Sequence, residues 1–256
     1  MILKSGKADL LEYKIYDTRE NMGRSSADEA AAYIKELLIK KNEINMIFAA
    51  APSQNEFLAT LVKSDVNFSR INAFHMDEYI GLDTNAPQGF GNFLNNAIFS
   101  KIQLKSVNYI DSTATDPDAE CKRYSELLEK HPIDIVCMGI GENGHIAFND
   151  PGTGMANFND KYLVKKVVLD DVCRQQQVND GCFKSINEVP KYAITLTVPM
   201  LFSGDRIFCV VPATTKANAV KATLIGDISE NCPASILRRH KNSTLYGDKD
   251  SGKLIL

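Results

Sequence analysis

Residues 133–151 constrain this chain more than any other stretch. Ile133-Asp134-Ile135-Val136-Cys137 reads as a buried strand, and Met138-Gly139-Ile140-Gly141-Glu142-Asn143-Gly144-His145-Ile146-Ala147-Phe148-Asn149-Asp150-Pro151 follows it without a break. Three glycines let the backbone turn tightly at the strand's end and approach a ligand closely. A histidine and a carboxylate, His145 and Asp150, follow within a few residues. An open α/β sheet builds its binding crevice at this kind of strand end.

The run also contains Gly139-x-Gly141-x-x-Gly144, which invites a dinucleotide-binding reading. That fingerprint needs a helix directly after the glycines and an acidic residue about 20 positions on, at the end of a second strand. Here Pro151 follows soon after the last glycine, and Asp160 lies in the polar stretch Asn157-Phe158-Asn159-Asp160-Lys161. A bare structural turn is the plain alternative. A catalytic loop accounts best for the His145–Asp150 pair.

Hydrophobic patterning on either side alternates between strand and helix. Ser26-Ala27-Asp28-Glu29 reads as a capping box that opens a helix to about Lys41. Strands are expected over residues 44–50, 70–76, 107–110, 162–169, 192–198 and 206–211. Helices are expected over 55–63, 90–99, 216–225 and 233–239, and from a Thr115 cap to about Lys130. This alternation predicts a three-layer α/β/α, Rossmann-like fold with a mostly parallel open sheet. Without a repeat, low-complexity tract or credible linker, residues 1–256 are expected to form a single domain.

Apolar residues at 44% and charged residues at 24% suit a soluble globular enzyme. A net charge of -3 argues against nucleic acid or a membrane surface as the main partner. No apolar run reaches the roughly 18 residues of a membrane span, and the N-terminal residues lack the apolar core of a signal peptide. The six cysteines form no Cys-x-x-Cys pair or zinc-ligand spacing. A reducing, cytoplasmic setting is therefore expected.

Three further segments lie where parallel strands should end. Ala51-Pro52-Ser53-Gln54-Asn55 leads into a helix, so backbone N–H groups with Ser53, Gln54 and Asn55 could hold a phosphate. It has no glycine, and an ordinary turn with an Asn cap is the alternative. Phe74-His75-Met76-Asp77-Glu78-Tyr79 sets two carboxylates side by side. In a closed pocket, such a carboxylate has its pKa raised and can shuttle a proton; elsewhere the pair is a solvated acidic patch. In Val211-Pro212-Ala213-Thr214-Thr215-Lys216, a cation opens a helix, which is unfavourable without an anion. A snorkelling surface lysine is the alternative. Arg174 is a weaker anion candidate. His75 alternates with Asp77 along its strand, whereas His131 and His240 read as structural.

Together these segments resemble the glucosamine-6-phosphate deaminase (isomerase) family, relatives of the 6-phosphogluconolactonases. The matching motifs are Met76-Asp77-Glu78-Tyr79-Ile80-Gly81-Leu82, the loop from Gly139 to Pro151, and Val189-Pro190-Lys191-Tyr192-Ala193-Ile194-Thr195. Ile146-Ala147-Phe148-Asn149 looks like the deaminase side; the lactonase loop usually has Thr-Ala-Ser there. The resemblance implies that an aminosugar 6-phosphate becomes a ketose 6-phosphate plus ammonia, without a metal or redox cofactor. Asp77 would carry a proton from C2 to C1, and His145, oriented by Asp150, would open the ring. Lys216, Ser53, Gln54, Asn55 and Arg174 would hold the phosphate beside Gly141 and Gly144. A homo-oligomer is also implied. The chemistry suits the residues independently, because proton abstraction beside a carbonyl needs a base and ring opening needs a separate acid–base group.

Two loop positions depart from the family. Asn143 replaces an aspartate and Asp150 replaces a glutamate, so the loop carries less charge and a shorter carboxylate that must sit closer or act through water. A shifted substrate such as galactosamine 6-phosphate, a sugar-phosphate lactonase and a catalytically silent sugar-phosphate sensor are the competing expectations. Thr153-Gly154-Met155-Ala156-Asn157 shows no anion-binding pattern, so strong activation by an N-acetylated sugar phosphate is not expected.

Overall fold

The computed structural model describes residues 1–152 and 154–256; the Thr153 part of the regulatory expectation lies outside them. Eleven strands are present among the described residues: β1 (Ile2–Ala8), β2 (Leu11–Tyr16), β3 (Ile44–Phe48), β4 (Ile71–His75), β5 (Asp77–Tyr79), β6 (Ser106–Asn108), β7 (Ile135–Met138), β8 (Val164–Val168), β9 (Tyr192–Leu196), β10 (Arg206–Val211) and β11 (Ser243–Asp248). The α-helices are α1 (Arg19–Lys40), α2 (Asn55–Leu61), α3 (Phe90–Ala97), α4 (Pro117–Lys130), α5 (Asp171–Asn179), α6 (Val198–Phe202) and α7 (Ala217–Ile225). Residues 233–239 form a 3₁₀ helix rather than an α-helix.

The main sheet has eight strands in the order β1-β2-β11-β10-β7-β3-β4-β6. Only the edge pair β1–β2 is antiparallel. Side chains alternate between its faces with the period of 2 that a strand imposes. Met46, Phe48, Cys137, Phe208 and Val210 face the core under α1, α2 and α3. Ile47, Val136, Met138, Cys209 and Val211 face the core under α4, α6 and α7. The expected α/β/α architecture is therefore present. A separate three-stranded antiparallel sheet, β5-β9-β8, lies beyond the main one.

Several boundaries differ from those the sequence suggests. α1 begins at Arg19, not Ser26, and Thr18 caps it by accepting from the Asn21 N–H. Ser26 is buried mid-helix, where its hydroxyl donates to the Gly23 carbonyl. The small residues Gly23, Ser26 and Ala27 look like a start signal because α2 approaches so closely. A Cβ on Gly23 would lie 2.3 Å from the Glu56 Cβ. The cap of α4 is Asp116 rather than Thr115; its carboxylate accepts from the N–H groups of Asp118 and Ala119.

Phe208 stacks on Tyr246 and meets Tyr33 edge-on between the sheet and α1. Phe208→Ala is expected to cost about 3–5 kcal/mol of stability, read as a lower midpoint in chemical denaturation.

Candidate active site

Chain order reverses between β3 and β7, which are neighbours in the sheet. From β3 the chain proceeds outward through β4 to β6, then returns to β7 and builds outward in the other direction through β10 to β11. The loops at that switch point separate, leaving a crevice beyond the carboxyl ends. A cavity lies there, lined by 49–53 after β3, Met76 and Asp77 after β4, 139–141 and His145 after β7, and Pro212–Lys216 residues after β10. Gln176, Gln177 and Asp180 from the α5 region close one side.

No helix follows the glycines, so the dinucleotide fingerprint is not met. The loop turns on itself: Gly141 N–H donates to the His145 carbonyl at 2.9 Å, and Gly144 N–H donates to the Gly141 carbonyl at 3.1 Å. Gly141 lies flat against the imidazole, where a Cβ would fall 2.2–2.4 Å from three ring atoms. Gly144 has a φ of +87° and backs onto Cys232. Its position is therefore behind the loop, outside the cavity lining.

His145 Nδ1 lies 2.8 Å from Asn143 Oδ1 and 3.1 Å from Asp150 Oδ1. Both partners can act as acceptors, so they hold the proton on Nδ1 and leave Nε2 for exchange with a ligand. Burial pushes the Asp150 carboxyl up, but hydrogen bonds and charge from His145, with help from Asn143, outweigh it and leave it below its ordinary value. The shorter side chain thus reaches the ring directly.

Asp77 and Glu78 have opposite surroundings. Glu78 accepts N–H bonds from Tyr79, Phe90 and Gly91, so it caps α3. Burial still raises its pKa, against the pull of those three donors. Asp77 is buried and lines the cavity, and no described group donates to its carboxylate. Burial, then the Glu78 charge, pushes it well above the ordinary carboxylate range. Such a buried carboxylate holds a proton more readily than a solvated one, as a proton-shuttling group requires.

Lys216 is the cation of the cavity's anion side. It is buried and forms no ion pair with a described carboxylate. Burial lowers its pKa while Asp180 and Glu142 oppose that shift. Ser53 also lines the cavity. Gln54 lies behind it, donating to the carbonyls of Val210 (3.1 Å) and Met138 (3.5 Å), where it braces β10 against β7. Asn55 is exposed at the start of α2. Arg174 is turned away, bound to Asp171 and to the carbonyls of Ile186 and Val189. Neither Asn55 nor Arg174 lines the cavity.

Sequence reasoning missed Arg19, Thr215, Gln176, Gln177 and Asp180 in the lining. Arg19 carried the same signal as Lys216, a cation at the first position of a helix, but the misplaced start of α1 hid it. It bonds the Pro52 carbonyl and pairs with Glu56 at 2.8 Å. Gln176 accepts the Glu142 N–H at 2.9 Å, so α5 fastens to the glycine loop. Outside the lining, His75 is fully buried, and its Nε2 accepts the Ile110 N–H. Burial drops its pKa to about 3, which makes it a neutral core residue. His145, Asp150 and Cys173 form the only group of metal-type donors gathered within 4.8 Å among the described residues, and their 3.1 Å Nδ1–Oδ1 contact is hydrogen-bond spacing.

Residues 17–246 match a family described as glucosamine-6-phosphate isomerases/6-phosphogluconolactonase. A glucosamine-6-phosphate deaminase of Listeria welshimeri is 37% identical over 239 residues, 93% of this chain and 98% of that protein. One from Lactobacillus delbrueckii subsp. bulgaricus is 32% identical over 207 residues, 81% of this chain and 86% of its own. A solved structure described as a monomeric glucosamine-6-phosphate deaminase superposes with a TM-score of 0.85 at 30% identity, covering 94% of this chain and 99% of that one. A 6-phosphogluconolactonase from Thermotoga maritima shares the fold, with a TM-score of 0.75 at 19% identity over 93% of this chain and 100% of that one.

Gly141→Ala is expected to displace the imidazole and lower kcat by about 100-fold, the scale of a misplaced catalytic group. Circular dichroism should show an unchanged fold, and wild-type kcat would contradict the packing argument.

Proposed function

The chain belongs to the glucosamine-6-phosphate isomerase and 6-phosphogluconolactonase family, and from that premise we propose that it is an aminosugar-6-phosphate deaminase. Its substrate is glucosamine 6-phosphate, with the galactosamine epimer as the comparison. Water is consumed, and the products are the ketose 6-phosphate and ammonia. The observation that carries the proposal is Asp77, a buried carboxylate without a described donor, facing the same cavity as His145 and Lys216.

In the proposed mechanism, His145 Nε2 moves a proton between the anomeric hydroxyl and the ring oxygen, and the pyranose opens. Asn143 and Asp150 keep Nδ1 protonated throughout. Asp77 then takes the C2 proton, made acidic by the neighbouring aldehyde, and returns it to C1. The resulting C2 imine is hydrolysed by water, which supplies the ketone oxygen as ammonia leaves. Lys216 and Ser53 bind the phosphate, and Arg19 and Thr215 line the same cavity. No metal or redox step is required. A cytoplasmic setting belongs to the proposal, supported by six free cysteines. So does a homo-oligomer, which light scattering would distinguish from one chain of 28.3 kDa.

Asp77→Asn is expected to remove ammonia release from glucosamine 6-phosphate by at least about 1,000-fold, at the strong end of general-base effects. A lactonase would keep its activity in that variant. A silent sensor would be stabilised by the sugar phosphate without turnover in the wild type.

The same variant tests the stability cost. The folded Asp77 value is raised, so the folded state holds its proton after the unfolded chain has lost it at about pH 4. Stability is then lost as pH climbs from there through the folded value. At pH 7, Asp77→Asn should therefore melt higher than wild type, by about 2–4 °C per kcal/mol recovered, with the difference vanishing below about pH 4. A lower melting temperature at pH 7 would contradict the buried-charge argument.

Lys216→Gln should raise KM about 10- to 100-fold, from loss of a charge-assisted hydrogen bond, with a smaller change in kcat. An unchanged KM would remove Lys216 from the phosphate site.

A further inference from the structure

Gln54 stands behind the cavity wall and is only 1% exposed. Its neighbours fix the orientation of its amide. The carbonyls of Val210 at 3.1 Å and Met138 at 3.5 Å are acceptors only, so the amide nitrogen must face them. That same nitrogen lies 3.0 Å from Ser53 Oγ. The Met138 contact is at the limit of hydrogen bonding, which leaves the two Nε2 hydrogens for Val210 and Ser53.

Ser53 is thereby obliged to accept. Its side chain makes no other hydrogen bond among the described residues, so its own hydrogen remains unspent. It lines the same cavity as Lys216. Gly139 keeps the space for this pair: a Cβ there would lie 3.1 Å from Gln54 Nε2 and 3.3 Å from Ser53 Oγ. The φ of Gly139 is not positive, so close approach to the pair, rather than a turn, is what asks for glycine.

We propose that Gln54 is a positioning residue, which fixes the Ser53 hydroxyl as a donor toward an anion in the cavity. Ionised phosphate oxygens only accept, so a hydroxyl serves them only while its hydrogen points at them. A free serine hydroxyl rotates. Accepting from Gln54 occupies one side of Oγ and polarises the O–H for donation on the other. Lys216 then supplies charge and Ser53 supplies direction. The inference rests on the proposed phosphate site and extends it to a residue outside the cavity lining.

The test is a double-mutant cycle on the full chain, with inorganic phosphate as the probe and calorimetric titration as the readout. Gln54→Met keeps nearly the same length and removes the donor, while Ser53→Ala removes the hydroxyl. Each is expected to raise the Kd for phosphate about three- to tenfold, the scale of one hydrogen bond. Added to Ser53→Ala, Gln54→Met should change Kd by less than about twofold, because no hydroxyl is left to orient. A glutamine that only braces β10 against β7 would weaken binding by the same factor in both backgrounds. That equal factor, an unchanged Kd in either single variant, or a wild type that binds no phosphate would overturn the proposal. Should circular dichroism show Gln54→Met unfolded, Gln54→Asn, whose amide falls a methylene short of Ser53, replaces it in the cycle with the same outcomes.

Ammonia release from glucosamine 6-phosphate separates this inference from the reading it rests on. If wild type releases none while the phosphate cycle shows the coupling, the deaminase reading fails and the positioning role stands. Release of ammonia with equal factors in the two backgrounds would sink the positioning role alone.

Discussion

Thr195 lies opposite Asp77 in the β5–β9 pair, and its hydroxyl accepts the Phe148 N–H at 3.1 Å. One residue of β9 therefore ties the strand bearing the carboxylate to the loop bearing the histidine. Asn149 completes the tie by donating to the carbonyls of Ile146 and Leu196, each at 2.9 Å. Because these groups are buried, leaving any of them unmatched would cost a desolvation penalty as well as the bond. The small second sheet is consequently the frame that sets the distance between Asp77 and His145. The larger sheet supplies the cavity floor.

This arrangement explains why adjacent carboxylates coexist in a closed place. Two buried negative charges repel strongly at low dielectric. Glu78 is held by three backbone N–H groups at the start of α3, where the helix dipole also favours an anion. Its neighbour has no such help and bears the full effect of burial and of the Glu78 charge. Sequence adjacency thus becomes a division of labour. One carboxylate anchors a helix, and its fixed charge raises the proton affinity of the other.

Much of the frame was legible because strand periodicity and glycine turns are local signals. The β10 boundaries coincide with the expected 206–211, and the glycine loop sits where an open sheet forms its crevice. The sequence reading did not include β1, β2, β11 or α5. The β1 residues are mostly exposed, and β11 follows an irregular 3₁₀ segment. α5 is rich in polar residues, including buried Gln176 and Gln177. Their burial answers to partners in the glycine loop and the cavity, which no local pattern records. Gln54 and Arg174 show the same limit from the other side. Each has the right chemistry for an anion, but backbone carbonyls brought close by tertiary structure take its donors.

The shortened acid of the histidine loop follows the same logic. An aspartate reaches one methylene less far than a glutamate, yet Asp150 Oδ1 stands 3.1 Å from the ring nitrogen. Ala147, with a φ of +48°, bends the backbone between the two residues, a conformation that a residue with a Cβ adopts only when its surroundings enforce it. Thr195 and Leu196 supply that enforcement through the bonds to Phe148 and Asn149, which directly follow the bend. The reach lost from the side chain is thus recovered in the backbone, held by the strand that also positions Asp77. Charge is not recovered in the same way. Asn143 accepts from the ring as a neutral group, and Asp150 is the one carboxylate that meets the ring among the described residues.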